Sequence, residues 1–257
     1  MARAGGVHEY LDYMSVDSTG SRAAVAVTDR RSALPQVSFI DLKPGLLTPL
    51  GEQVLTSRPL WSPDGARVAY SCQPPGTMDD VCVKDLPTSQ VRTLVASEDA
   101  YEKPTAWSRN GDWLLVTRYN SRVSTHLIAY SFRSGTLKPV VSIPGALVQE
   151  GVFSPDGRYV AYSSNESGRW EVSVVTFPEG TGQWQLTSEG GRVLSWGGPD
   201  DNEKRNRSAA GTPADATAIR SGRRVIAPPI MIPPALAPSP AAPAWCSPPR
   251  RGTRRMR

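Results

Sequence analysis

Apolar and polar residues alternate along this chain in short runs, and the runs themselves recur with a long period. Arg67-Val68-Ala69-Tyr70 and residues 81–83, 91–95, 127–130, 158–162 and 172–175 are rich in β-branched and aromatic side chains. Each is bounded by Gly, Pro, Asp or Ser, which predicts strands. No window carries a helical period of useful length. A decapeptide sets the spacing: WSPDGARVAY at 61–70, WSRNGDWLLV at 107–116 and FSPDGRYVAY at 153–162, with starts 46 residues apart. A fainter copy, VDSTGSRAAV at 16–25, begins 45 residues before the first, and a fifth opens and breaks at 194–201. About four short strands in a repeat of this length is the pattern of a propeller blade. The prediction is an all-β chain, an incomplete β-propeller of about four four-stranded blades over residues 1–201.

Within each copy the residue types have separate roles. Asp64-Gly65, Asn110-Gly111 and Asp156-Gly157 read as tight turns, because Gly accepts positive φ and Asp or Asn bonds back to the backbone. Asn110 stands where the other copies have Asp, so the place does not demand a charge. Repetition in every blade therefore assigns these residues, and Ser62, Ser108 and Ser154 beside them, to structure rather than to ligands or nucleophiles. Trp61, Trp107 and Phe153 are expected to pack between adjacent blades, where a ring buries much area.

The charge of the chain divides sharply. Residues 1–201 carry 18 Lys and Arg against 22 Asp and Glu, a net −4. Residues 202–257 carry 11 against 2, a net +9, so the basic balance belongs to the tail and gives no case for nucleic acid. That tail is rich in Pro, Ala and Arg, without enough periodic apolar surface to fold alone, and is expected to be disordered. Its preferred reading is an out-of-frame extension; the other is a basic, proline-rich arm for an acidic partner or anionic lipid. Residues 1–7 contain no apolar stretch of signal-peptide length, and no run approaches the length of a membrane span.

The W/F-S-P-D-G-x-x-hydrophobic-A-Y core resembles the TolB-type, WD40-like (PD40) propellers. Residues 153–191, FSPDGRYVAYSSNESGRWEVSVVTFPEGTGQWQLTSEGG, further resemble the propeller that follows a membrane segment in some bacterial serine/threonine kinases. The resemblance covers roughly residues 6–201. It implies a fragment of a signalling protein whose propeller lies on the extracytoplasmic, periplasmic face. The kinase signatures G-x-G-x-x-G, H-R-D and D-F-G are absent from this sequence. Prolyl oligopeptidases also use such a propeller, but no G-x-S-x-G nucleophile elbow occurs here.

Candidate chemistry is sparse. His8 and His126 lie outside metal-ligand spacing of one another and of any cysteine, so no metal, cofactor or catalytic residue is assigned. Asn165-Glu166-Ser167 matches a glycosylation sequon and reads as a hairpin turn. Cys72 and Cys82 flank the loop 73–80 and read either as a disulfide or as two separate small apolar side chains; extracytoplasmic relatives tip the choice to the bridge. Cys246 falls in the tail. The expected function is a non-enzymatic binding or sensory module for a protein, peptide or glycan, contacted through loops 73–80, 119–125 and 164–169. The alternatives are the gating propeller of a serine peptidase without its hydrolase domain, and a gene fragment without function.

Overall fold

A computed structural model describes residues 8–29, 34–51, 54–120, 124–196, 216–220 and 223–226. The chain meanders through antiparallel sheets in sequence order. The first holds β1 (His8–Val16), β2 (Arg22–Asp29), β3 (Pro35–Asp41) and β4 (Leu47–Pro49). The second holds β5 (Leu55–Trp61), β6 (Arg67–Gln73), β7 (Asp80–Asp85) and β8 (Val91–Val95). In the third are β9 (Tyr101–Trp107), β10 (Trp113–Tyr119), β11 (Thr125–Ser131) and β12 (Leu137–Ser142). The fourth follows with β13 (Val148–Phe153), β14 (Tyr159–Ser164), β15 (Glu171–Thr176) and β16 (Gln183–Gln185). No helix occurs among the described residues, and the architecture is the blade series of a β-propeller.

The decapeptide makes the first corner of each blade. Its aromatic ends the innermost strand, Ser-Pro-Asp-Gly turns the chain, and the apolar run becomes the second strand. In the fourth blade Ser154 Oγ donates to Asp156 Oδ1 at 2.6 Å and accepts from the Tyr159 amide at 2.9 Å. Asp156 Oδ1 also accepts from the Arg158 amide at 3.1 Å, and Gly157 closes the turn at φ 72°. Ser108 and Asn110 reproduce this in the third blade, as do Ser62 and Asp64 in the second. The faint first copy reaches the same end differently, since Asp17 accepts from the amides of Ser21 and Arg22 at 2.9 and 3.0 Å. Burial pushes the Asp17 pKa upward, but these amides and the hydroxyls of Thr19 and Ser21 outweigh it and hold the carboxyl at about 2.

Ser154→Ala deletes a buried hydroxyl that both gives and takes. The substitution is expected to cost about 1–2 kcal/mol in denaturant unfolding. A loss below about 0.5 kcal/mol would remove the hydroxyl from the turn's support.

Successive side chains of the second and third strands point to opposite faces, and both faces are buried, so each sheet is glued to the next. Trp61, Tyr70 and Val68 pack with Ala24 and Val37 between the first two blades; Ala69, Val83, Leu114 and Val116 fill the next interface. Leu115, Leu127, Phe153, Tyr162 and Phe177 fill the one after. The aromatic that leads each decapeptide sits at these seams. Trp61 meets Phe39 at 5.2 Å between centroids, Trp107 stacks on Phe132 at 4.8 Å, and Phe153 meets Phe177 edge-on at 5.1 Å.

A fifth sheet begins with β17 (Arg192–Trp196), which packs on β13 and β14 and is followed by β18 (Ala216–Arg220) and β19 (Arg223–Ile226). The composition of the tail predicts no strands there, and within 216–226 it holds two. The reason is local: the prolines flank this stretch, at Pro213 and Pro228, and leave its backbone donors free for the ladder. The broken repeat is likewise continued in part, because Trp196 Nε1 donates to the Val152 carbonyl at 3.1 Å just as Trp107 Nε1 donates to that of Leu60 at 3.2 Å. The remainder of 197–257, with Cys246, lies outside the described residues.

Candidate functional site

The innermost strands β1, β5, β9, β13 and β17 stand side by side along the propeller axis, each in contact with the next. Every one of them slips in register against its second strand. The slips fall between Tyr10 and Met14, Ser57 and Leu60, Pro104 and Ala106, Gln149 and Val152, and Val193 and Ser195. Such bulges bend the strand and re-aim a side chain. At two of them the chain takes a left-handed conformation, with φ 50° at Arg58 and 58° at Glu150. The result is a cleft of about 510 Å³ lined by Tyr13, Arg58, Pro104, Glu150 and Val193, together with neighbours on the same strands.

Those five residues share one place in the repeat. Four lie three positions before the residue that leads a decapeptide, Val16, Trp61, Trp107 and Phe153, and Val193 lies three before Trp196, which bonds to the preceding blade as Trp107 does. Neighbouring strands and the loops at this end bring further charge and aromatic surface to the rim. The Arg58 guanidinium lies 3.8 Å over the Tyr13 ring and donates to its hydroxyl. Lys103 Nζ is 5.3 Å from the centre of the Tyr119 ring. Arg192 stacks on Trp170 at 3.8 Å and pairs with Glu150 Oε1 at 2.8 Å, while Ser163 donates to Glu150 Oε2 at 2.8 Å.

Electrostatics at the rim are perturbed. Burial lowers the Lys103 pKa, and the Arg58 charge lowers it further, with Asp79 acting in the opposite sense. Burial raises the Asp79 carboxyl, opposed by Lys103 and Arg58. The Tyr119 phenol is pushed up, first by burial and then by the Tyr13 and Glu150 charges against Arg58 and Arg192. Beneath Lys103 the chain is pinned. Glu102, 0 % exposed, accepts from Arg118 Nε at 2.9 Å, and its backbone amide donates to the Asp79 carbonyl at 2.7 Å. Thr105 Oγ1 is buried without a hydrogen-bond partner among the described residues.

The residues singled out from the sequence lie elsewhere. Asp64, Gly65, Asn110, Gly111, Asp156 and Gly157 occupy the blade corners, at the other end of the innermost strands. A smaller cleft of about 310 Å³ there is lined by Trp113, Phe177, Pro155 and Asp156, among others, but its Ser108, Asn110 and Asp156 are spent on the turns. Cys72 and Cys82 are joined by a disulfide, with Cα atoms 5.8 Å apart. They are diagonal neighbours across the β6–β7 ladder, Tyr70 opposing Cys82 and Cys72 opposing Asp80, and both face the seam between the first two blades. His126 Nδ1 meets Ser142 Oγ at 2.8 Å; the His8 side chain lies outside the described residues. No group of three metal-ligating side chains occurs among the described residues, and no described helix is long and apolar enough to cross a membrane.

No family model and no curated protein sequence matches the chain. Its fold, in contrast, recurs among solved structures. TolB from Acinetobacter baumannii matches with TM-score 0.59 at 16 % identity, over 83 % of this chain and 52 % of that one. A putative TolB from Agrobacterium tumefaciens matches with TM-score 0.62 at 13 % identity, over 86 % and 80 %. A prolyl endopeptidase matches with TM-score 0.61 at 15 % identity, over 85 % of this chain and 33 % of that one. The chain thus spans about half the length of the Acinetobacter TolB. At such identities the likeness concerns architecture alone, and the chain is a β-propeller similar in fold to TolB and to the propellers of peptidases.

Proposed function

We propose that this chain is a non-enzymatic binding module that takes a protein or peptide ligand at the channel mouth, on the extracytoplasmic side of a signalling protein. The observation that carries the reading is the convergence of five bulged strands on one cleft, with unlike side chains at the same repeat position. A structural repeat has reason to keep corners and seams alike, as it does here. It has no packing reason to vary one inward place among Tyr13, Arg58, Pro104 and Glu150, whereas recognition requires unlike groups around a ligand. Placement outside the cytoplasm is supported by the Cys72–Cys82 bridge, since disulfides persist in oxidising compartments. The link to a kinase rests on the resemblance of residues 153–191.

The likeness to a prolyl endopeptidase favours a second reading, a propeller that gates a hydrolase domain. One measurement tests the first reading. Short-peptide libraries offered to the purified chain are expected to yield saturable binding with no cleavage, and Arg58→Ala is expected to weaken it. Absence of any saturable ligand would overturn the binding-module reading. So would binding that is indifferent to every change at the cleft.

A further inference from the structure

The half-buried cations of this fold are not equal. Arg118 is paired with Glu102, Arg192 with Glu150 and Arg67 with Asp64, all at 3.4 Å or closer. Arg58 lines the cleft and Lys103 adjoins the cleft residue Pro104 on the neighbouring strand β9, and neither has a carboxylate within ion-pair distance among the described residues. Two like charges partly withdrawn from water are costly unless a close, fully ionised anion lies between them. Asp79 offsets that cost only in part, its own carboxyl being disfavoured by burial.

We propose that these two cations receive the carboxylate of an acidic peptide segment, and that an apolar side chain next to it enters the cleft. The inference rests on the binding-module reading and names its ligand. Arg58 is already positioned to bind: stacked on Tyr13, its guanidinium has given up much of the rotamer freedom that association would otherwise remove. Below it the wall is apolar, with Met14, Pro59, Leu60, Pro104, Val152 and Val193. Such a wall suits an aliphatic side chain. A sugar ring would need several hydrogen-bonding partners there, and of the two hydroxyls that line the cleft, that of Tyr13 already accepts from Arg58 and that of Thr105 is buried. Across the cleft Glu150 is a fixed anion, tied to Arg192 and Ser163. It repels a second carboxylate, so the preferred sequence is one acidic residue followed by an apolar one.

The test uses two synthetic peptides of equal length, one with a single Glu-Leu pair between Gly-Ser flanks and the other with Gln-Leu in its place, with fluorescence anisotropy as readout. The acidic peptide is expected to bind about tenfold or more tightly than its neutral twin. The Arg58→Gln, Lys103→Gln double variant is expected to erase that preference, and Arg133→Gln, on a side chain 82 % exposed and paired with Asp112, to keep it. Circular dichroism and melting temperature verify that each variant is folded. The preference should also shrink as salt is raised. Equal binding of both peptides would overturn the inference, as would a preference that survives the double variant or a uronate oligosaccharide that outcompetes the acidic peptide. In each of those cases a ligand still binds, so the binding-module reading stands. If neither these peptides nor any library member binds, that reading fails with it.

Discussion

Trp61→Ala is expected to lower the unfolding free energy by about 3–5 kcal/mol, as for other large buried aromatics cut to alanine. Trp61 is 6 % exposed and stands where one blade is fastened to the next. Its ring lies against Phe39 of the preceding blade, beneath the Arg22 guanidinium at 4.8 Å, and among Ala24, Val37, Leu50, Val68 and Tyr70. β-Strands on either side cannot close the gap, because their spacing is fixed by ladder bonds. Trp61→Phe keeps a ring at the seam and should lose markedly less. Guanidinium unfolding with a common slope checks both; a loss under about 1 kcal/mol for Trp61→Ala would show that the seam does not depend on this ring.

Removing the disulfide is the second large effect. The Cys72→Ala, Cys82→Ala double variant is expected to lose about 2–4 kcal/mol, because the bond closes a short loop and restricts the unfolded chain. The sequence separation is 10, which places the effect within that range rather than above it. Cys72 and Cys82 are 2 % and 6 % exposed, so reductant should act slowly on the native chain and quickly once it is unfolded. Thermal unfolding with and without reductant measures both effects. Equal stability of the parent and the double variant would show that the ladder alone holds the hairpin. The same hairpin carries Asp79 to the channel rim, so the bond also limits how far that carboxylate can move from Arg58 and Lys103.

Much of the fold was legible because a repeated unit prints its corners in the sequence. Ser-Pro-Asp-Gly fixes a turn by local hydrogen bonds, the run after it fixes a strand by alternation, and the spacing of 46 fixes the blade. The hairpin of β18 and β19 escapes a reading by composition, because averaging over the whole tail hides the proline-free stretch 216–226. The channel site escapes for the opposite reason. Its members have no residue type in common and come from separate strands, so neither spacing nor motif joins Tyr13, Arg58, Pro104 and Glu150. A signal exists nonetheless: when the copies are aligned on their leading position, the third residue before it differs in each. Lys103 and Arg192 emerge only in three dimensions, through Arg58 and Glu150.

In three of the innermost strands the slip also separates two duties that a β-strand normally combines. At Tyr13, Arg58 and Glu150 the ladder pairs lie on either side of the slip, whereas Pro104 and Val193 still oppose Val116 and Ala218 of the second strand. In those three blades the lining can therefore be rewritten without retuning the ladder, as slots on a common frame. Duplication of a blade copies an empty slot as well as a wall. In such a blade a new specificity then needs only a single substitution three residues ahead of the repeated corner.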